Sequence, residues 1–288
     1  MRRASLRRAM LPLASLFLAA CGLLIGIDTD LEVKPADGGG ADAPDTSVAV
    51  KEASADTTID EAGTPLPRRP PEGTYVYEVS GTEALSGPFP TQSATYGPTT
   101  TVSIAYDDPG CFAMTFTLRA NYVETSHFCI RGLEVVEDKG TRDQKFSIGS
   151  TSTTLTCMPG DVYFSTAPTP SLQTHDCQGK NTEDKSNSTS AFRTMGPYSY
   201  VSPDVTASVM GKDVLVRRFH DERLVTSPSN TQSGSNVADW TFSADDGTLL
   251  LFKRKIDVTY TNVIGTHYVE NVNMTLKERP GPNDAGPD

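Results

Sequence analysis

The sequence predicts an all-β protein: a single antiparallel domain, built as a curved open sheet (half-barrel) or as a barrel or sandwich, on a disordered N-terminal tether. Three observations predict this class. Short runs rich in Val, Ile, Thr, Tyr and Phe recur at a spacing of roughly ten residues. Clusters of Gly, Pro, Asn and Asp separate these runs. Helical periodicity of useful length is absent after the N-terminal segment, as is typical of antiparallel sandwiches and barrels.

Alternation of apolar and polar side chains defines the individual strands. It is sharpest in 111–119, where Phe112 and Met114 alternate with Ala113 and Thr115. A period of two places the apolar members on one face of a half-buried strand. The predicted strands are 74–79, 99–106, 111–119, 121–130, 133–136, 145–148, 153–157, 162–164, 205–209, 213–219, 239–242, 248–255, 257–264 and 267–276.

Two polar stretches, 166–196 and 227–236, separate groups of these strands and are predicted to be loops. The last residues, 280–288, are rich in Pro, Gly and Asp and predict a disordered tail. The β-rich domain therefore covers residues 73–279. About two hundred residues are enough for one domain with a sizeable core.

The first twenty residues have the form of a signal peptide. Four arginines precede an apolar run from Met10 to Ala20. This run of about eleven residues fits the apolar region of a signal peptide and is too short to cross a bilayer. Residues 21–72 follow as a predicted disordered linker, because they are rich in Gly, Pro, Ala and acidic residues and poor in bulky apolar ones.

The segment Leu18-Ala19-Ala20-Cys21 resembles the lipobox of bacterial lipoproteins. The resemblance implies that Cys21 receives a diacylglyceryl group on its sulfur, that the chain is cut after Ala20, and that the new N-terminus is acylated, for instance with palmitate. Two or more acyl chains anchor a protein stably. We therefore expect an exported protein, held at the cell membrane or the outer membrane through the lipid on Cys21. An incidental cysteine in an ordinary signal peptide and an uncleaved anchor extended to Ile27 are the alternatives.

Net charge restricts the classes of partner. The whole chain carries −11, with 25 basic and 36 acidic residues. Four of the basic residues precede Cys21, so the mature chain retains 21 of them and is near −15. Nucleic-acid binding depends on Lys and Arg that neutralise phosphates, so such a partner is not expected. This charge fits a solvated, monomeric exported protein.

Cysteine usage separates the anchor from the domain. Besides Cys21, the chain has Cys111, Cys129, Cys157 and Cys177. An even number in an exported domain predicts two disulfides, for which three connectivities exist. We favour Cys111–Cys129 and Cys157–Cys177, because each pair closes a loop of about twenty residues and would staple a local hairpin. Free thiols and a metal site are the alternatives.

No recognised catalytic motif occurs in the sequence. It has no nucleophile elbow, phosphate loop, dinucleotide fingerprint or zinc-protease motif. We therefore assign no catalytic residue, no cofactor and no metal ligand, and we expect no enzyme. The segment 245–247 is interpreted as a hairpin turn. The basic residues Arg217, Arg218, His220 and Arg223 are interpreted as a solvated strand face, with an anion site as the alternative.

Aromatic side chains occur on almost every predicted strand. Core packing explains them, and so does the lining of an apolar ligand cavity on one face of a curved sheet. They are Tyr75, Tyr77, Phe112, Phe116, Tyr122, Tyr163, Phe164, Trp240, Phe242, Phe252, Tyr260 and Tyr268.

Several short motifs also resemble known exported proteins. The run 73–81, the two cysteine pairs and the segment from Trp240 to Leu251 resemble uncharacterised exported proteins of high-GC bacteria. The order of the later elements is similar to that of lipoprotein carriers of the LolA, LolB and LppX type. That resemblance implies a curved sheet that shelters an apolar groove, and a ligand-carrying or envelope role.

The functional expectation is a lipid-anchored binding module of the cell envelope that holds an apolar small molecule in a curved β-sheet. The alternative is a structural or interaction lipoprotein whose partner is another envelope protein. An exported enzyme is the least expected class.

Overall fold

A computed structural model describes residues 63, 66–170, 172–185, 187–261 and 265–281. This part of the chain forms fourteen β-strands. It contains no helix that is long and apolar enough to cross a membrane. The strands are β1 Gly73–Ser86, β2 Gln92–Tyr96, β3 Thr99–Tyr106, β4 Cys111–Arg119, β5 Tyr122–Arg131, β6 Glu134–Phe146, β7 Gly149–Ser165, β8 Gln173–Glu183, β9 Thr189–Tyr200, β10 Val205–Val209, β11 Lys212–Thr226, β12 Gln232–Ser243, β13 Leu249–Tyr260 and β14 Thr266–Glu278.

The strands form one closed antiparallel barrel. Twelve of them pair in the order β11-β12-β13-β14-β1-β3-β4-β5-β6-β7-β8-β9, and β9 then pairs back with β11. Closure gives both sides of every wall strand a partner, which removes the exposed edges that an open sheet presents. The all-β prediction is confirmed, and among the architectures that it left open the protein adopts the barrel.

The two remaining strands continue the wall beyond the closed ring. Strand β1 pairs with β3 over Gly73–Glu78 and with β2 over Gly81–Leu85. Strand β11 pairs in the same way with β10 near its start and with β9 further along. The short breaks between β2 and β3 and between β9 and β10 both contain a proline, which has no backbone N–H to donate to a ladder.

Alternation correctly predicted the faces of the most regular strands. In β4, the side chains of Phe112, Met114, Phe116 and Leu118 are buried and those between them are half-buried. The predicted strands 111–119 and 121–130 correspond to β4 and β5, which are joined by a tight turn, and Cys111 lies directly opposite Cys129.

The predicted loop 166–196 is wrong, because most of it forms β8 and the start of β9. The inward positions of β8 include His175, Gly179 and Asn181, which gave no apolar alternation to recognise. Some predicted pairs of short strands are likewise single long strands. Most of the predicted strand 248–255 and residues 257–260 of the predicted strand 257–264, for example, belong to β13, while residues 262–264 lie outside the described residues. The predicted loop 227–236 also ends earlier than expected, because β12 begins at Gln232.

Aromatic side chains fill one end of the barrel, which we call the filled end. The Tyr163 ring lies 4.3 Å from Phe128, 5.0 Å from Trp240 and 4.8 Å from Phe242, measured between centroids. The Tyr77 hydroxyl donates a 2.7 Å hydrogen bond to the Leu249 carbonyl, so its polar atom is satisfied inside the core. Core packing therefore accounts for most of the predicted aromatic positions.

The chain enters the domain at this filled end. Pro67 and Pro70 are buried, and the Arg69 guanidinium lies 3.7 Å above the centre of the Tyr106 ring. The Tyr75 hydroxyl donates to the Pro71 carbonyl at 2.7 Å. Residues 66–72, the end of the predicted linker, thus pack on the barrel, whereas nearly all of the linker and the whole signal segment lie outside the described residues.

Candidate ligand-binding site

The opposite end of the barrel, which we call the open end, contains a cavity of about 300 Å³. It reaches the exposed residues Asp184 and Lys185 in the turn between β8 and β9, so it opens to solvent. A second cavity of about 80 Å³ lies deeper, towards Tyr163 and Trp240. The residues that line both cavities, and thus form the floor of the outer one, include Glu124, Glu137, Arg142, Arg223 and Asn236.

The wall of the outer cavity is largely apolar. Its core is a cluster of buried side chains, against which half-buried residues from other strands pack. The buried members are Phe192, Val225, Ile256, Val258 and Tyr268, and the half-buried ones are Leu85, Phe146, Leu155 and Tyr260. Such a wall with a few polar groups at its base is typical of small-molecule pockets.

Gly179 determines how Phe192 sits in this wall. The two residues face each other across β8 and β9. A Cβ atom on Gly179 would lie 2.0–2.4 Å from three carbons of the Phe192 ring. The ring therefore lies flat over the glycine, a cross-strand arrangement that packs an aromatic side chain against the sheet and leaves the space above it free.

The floor begins with an ion-pair network around Arg254. Its Nε donates to Glu270 at 2.7 Å, its Nη1 to Glu124 at 2.9 Å, and its Nη2 to the Tyr122 hydroxyl at 3.0 Å. Arg142 adds a second contact to Glu124 at 3.4 Å. Burial alone would raise the pKa of Glu124, but Arg254 and Arg142 together outweigh it and lower the pKa to about 2.

This network continues through neutral side chains to a third carboxylate, that of Glu83. The Tyr96 hydroxyl lies 3.2 Å from Glu270 and 3.1 Å from Glu83. The Gln144 amide donates to Tyr268 at 2.9 Å and also to Glu83, which forms an ion pair with Arg119. Glu83 and Glu270 are almost completely buried, so these hydrogen bonds replace the water that a carboxylate needs.

A separate charged cluster lies beside the Cys157–Cys177 disulfide. The Nε of Arg223 is 2.7 Å from Asp221, and its Nη1 is 3.7 Å from Asp161. The Nε2 of His175 is 3.0 Å from the Val162 carbonyl, which leaves Nδ1 facing Asp161 and Asp221 at 3.6 and 3.4 Å. Burial raises the pKa of Asp161 and outweighs the opposing effects of His175 and Arg223.

A β-bulge at Asp138 directs Glu137 into the cavity. The register between β5 and β6 shifts there, so that Phe128 faces Glu137 and His127 faces Lys139. The Asp138 carboxylate points outward, where it lies 2.6 Å from the His127 ring. Bulges commonly redirect a side chain in this way beside functional sites.

Glu137 differs from the other floor carboxylates because no cationic nitrogen of the described residues lies within 4.0 Å of it. Burial raises its pKa, and the more distant Arg223 and the Ser126 hydroxyl only partly oppose this effect. Two neutral oxygen atoms lining the same cavity, Thr194 Oγ1 and Asn236 Oδ1, are buried without a hydrogen-bond partner in the described part of the chain. Thr194 is only 7% exposed, so its hydroxyl group is shielded from bulk water.

The structure contains the two predicted disulfides, Cys111–Cys129 and Cys157–Cys177. Each joins neighbouring strands, as expected. The first is half-buried, and the second is completely buried within the wall. His127 and Asp161 each lie close enough to one pair to form a potential metal cluster, but the sulfur atoms are already bonded to each other. Cys21 lies outside the described residues.

The predicted basic cluster is divided between the two sides of the wall. Arg217 and Arg223 are buried, and each forms ion pairs, Arg217 with Asp204 at 2.8 Å. His220 is partly exposed and pairs with Asp239. A single solvated face is therefore wrong, because successive residues of a strand point to opposite sides. The predicted turn at 245–247 is confirmed between β12 and β13, where Asp246 accepts a hydrogen bond from the Thr248 amide at 3.0 Å.

Sequence reasoning missed the floor residues Glu124, Glu137 and Arg142. The sequence did contain one signal for Glu124. It lies an even number of residues from Tyr122 and Phe128, and therefore on the same, buried face of β5 as these aromatic side chains. A charged residue on an inward face indicates a buried polar network. No comparable signal existed for Glu137, since the bulge shifts the alternation within β6.

Comparison of the chain with protein-family models, with curated proteins and with solved structures finds no match. The chemistry of the barrel's own residues is therefore the basis for a functional assignment. That chemistry combines an apolar wall, an open mouth and a charged floor in which the carboxyl group of Glu137 has no ion-pair partner among the described residues.

Proposed function

We propose that this protein is a lipid-anchored binding module of the cell envelope, which holds an apolar ligand in the open half of its barrel. A cavity of about 300 Å³ is at the lower end of the range for small-molecule pockets. Its apolar wall supplies affinity, and its polar floor can orient the ligand. The proposal gives the barrel a binding role and no catalytic role.

One observation carries this proposal: the barrel is filled at one end only. Aromatic side chains pack against one another across the filled end, whereas the lining of the outer cavity combines the apolar cluster with the small residues Ser126, Gly140, Thr151 and Thr153. Packing at protein interiors normally leaves few voids larger than a water molecule, because each void loses dispersion contacts. A cavity of this size, open to solvent, is therefore explained by what it holds rather than by stability.

Binding of the neutral dye N-phenyl-1-naphthylamine to the purified domain tests the proposal. We expect its fluorescence to rise on binding and Thr153→Trp to abolish the rise, because the new ring fills the cavity. Thr154→Trp is the matched control, since Thr154 is the next residue of β7 and is exposed on the outside. No binding by the wild-type domain, or equal binding by both variants, would contradict the proposal.

The membrane anchor is a separate part of the proposal and rests on Cys21. Mass spectrometry of the mature N-terminus should find an acylated Cys21, and Cys21→Ser should release the protein from membranes. An unmodified Cys21 would refute the anchor alone.

A second candidate function, an interaction lipoprotein that binds an envelope protein, is supported by apolar side chains on the outer wall. Leu224 and Met195 are paired across β11 and β9, and they are 60% and 41% exposed. Exposed apolar patches can mark protein contacts. A photo-crosslinker at position 195 should then capture one dominant partner in cells, whereas a crosslinker at the exposed Thr154 should not.

A further inference from the structure

We propose that the ligand is an organic cation, in which an ammonium or related group lies against Glu137 and an apolar substituent packs on Phe192, Ile256 and Val258. This inference rests on the proposed binding function and narrows it to one chemical class. It is carried by the balance of charges inside the barrel and by the position of Glu137, whose carboxyl group has no ion pair within the described part of the chain.

Among the described residues, the part of the interior between the aromatic core and the mouth contains more carboxyl groups than basic side chains. Its six carboxyl groups face four guanidinium groups and one imidazole, that of His175. The carboxyl groups are those of Glu83, Glu124, Glu137, Asp161, Asp221 and Glu270, and the guanidinium groups are those of Arg119, Arg142, Arg223 and Arg254. When all six carboxyl groups are ionised, at least one negative charge stays uncompensated, even if the imidazole is counted as a cation.

All four arginines are already committed to other carboxylates. Arg119 pairs with Glu83, and Arg254 bridges Glu124 and Glu270. Arg142 contacts Glu124, and Arg223 contacts Asp221 and Asp161, as described above. The charge in excess is therefore located at Glu137. An isolated charge in such an environment is unfavourable, and a ligand of opposite charge relieves that cost.

The other polar groups at the cavity also fit a cationic donor. Thr194 Oγ1 and Asn236 Oδ1 offer buried acceptor atoms without a partner among the described residues, and an ammonium group has up to three N–H bonds to donate. An anionic ligand would add to the excess of negative charge on the floor, where Arg142, Arg223 and Arg254 each already have an ion pair among the described residues.

The protonation of Glu137 gives the proposal an independent readout. Burial raises the pKa of this carboxyl group, so in the empty barrel a proton competes with any cation for it. A bound ammonium favours the ionised form. Binding of a cation should therefore ionise Glu137, whereas binding of a neutral molecule of the same shape should not.

A matched series of octylammonium, octanol and octanoate tests the inference. The three share an eight-carbon chain and carry a positive, a neutral and a negative head group. We expect octylammonium to displace N-phenyl-1-naphthylamine from the wild-type domain at a concentration at least about tenfold lower than octanol, as a desolvated charge pair permits. Octanoate should be the weakest. Equal potency of octylammonium and octanol, or tightest binding of octanoate, would overturn the inference.

The variant Glu137→Gln assigns the effect to one residue. It should bring the ratio of octylammonium affinity to octanol affinity down to about one. Glu222→Gln is the control for net charge, because Glu222 is exposed on the outside of β11. Retention of the preference in Glu137→Gln would refute the role of Glu137. If this variant does not fold, carboxyl ¹³C NMR of the wild type decides, since octylammonium, and not octanol, should shift Glu137 to its ionised value.

The two levels of proposal fail in different ways. If neither the dye nor octanol binds, the binding function itself is wrong. If both bind and octylammonium shows no advantage, the barrel binds apolar molecules and only the cation inference is wrong.

Discussion

Glu124 and Glu137 face the same cavity from neighbouring strands, yet their pKa values move in opposite directions. Burial opposes ionisation of both. For Glu124, two guanidinium groups overcome burial and bring the pKa to about 2, whereas Glu137 has only the distant Arg223 and its pKa rises. The difference arises from partners rather than from depth, and it sets the chemistry of the floor.

Removing the charge of Glu137 should stabilise the empty barrel at neutral pH. Because the folded-state pKa is raised, the native state loses stability as pH rises from the ordinary glutamate pKa through the raised one. Glu137→Gln should therefore raise the free energy of unfolding at pH 7 by about 1 kcal/mol and leave it unchanged at pH 4. Urea unfolding at the two pH values measures this, and a loss of stability at pH 7 would contradict it.

Acid should weaken the barrel through Glu124. Its folded-state pKa of about 2 lies below the ordinary value, so its contribution is complete above roughly pH 4.3 and is lost as pH falls towards 2. We expect the urea midpoint of the wild type to fall steadily through that window. In Glu124→Gln this part of the dependence should disappear, and an unchanged slope would argue against the ion pairs.

Loss of Arg254 should destabilise the protein strongly. Arg254→Met leaves Glu124 and Glu270 buried without their shared cation, which typically costs about 3–5 kcal/mol. The control is Arg193→Met, which removes an exposed ion pair with Asp176 and should cost less than about 1 kcal/mol. Denaturant unfolding of both variants makes the comparison, and similar losses would show that burial of the network contributes little.

Gly179→Ala should disturb both the cavity and the fold. The added methyl group occupies the place of the Phe192 ring, which must then move away from the wall and into the cavity. We expect weaker binding of N-phenyl-1-naphthylamine and a destabilisation of about 1–3 kcal/mol. The double variant Gly179→Ala with Phe192→Leu should recover part of the stability, because the clash is removed. If the two effects simply add, the contact is not the cause.

The two disulfides should differ in their resistance to reduction. Cys157 and Cys177 are 2% and 0% exposed, whereas Cys111 and Cys129 are half-buried. Under native conditions a small phosphine should therefore reduce Cys111–Cys129 first, as followed by alkylation and mass spectrometry. Replacing either pair by alanine should cost about 3 kcal/mol through loop entropy. Earlier reduction of Cys157–Cys177 would indicate that this region opens locally.

Local patterns in the sequence determined the β class, the inward face of Cys111–Arg119, several hairpin turns and the pairing of the four domain cysteines. These features depend on side-chain alternation, turn chemistry and short sequence separations. Alternation could not predict strands such as β8, because their inward-facing residues are polar or small and show no apolar period.

Only the tertiary structure decided that the sheet closes. Closure depends on the pairing of β9 with β11, and no sequence pattern in these two segments predicts that they pair. It also decided which polar residues meet. Glu124, Arg142, Arg254 and Glu270 come from four strands, and Glu137 turns inward through a bulge that depends on the pairing of β6 with β5. Long-range register sets these contacts, and register is a property of the whole barrel rather than of any one segment.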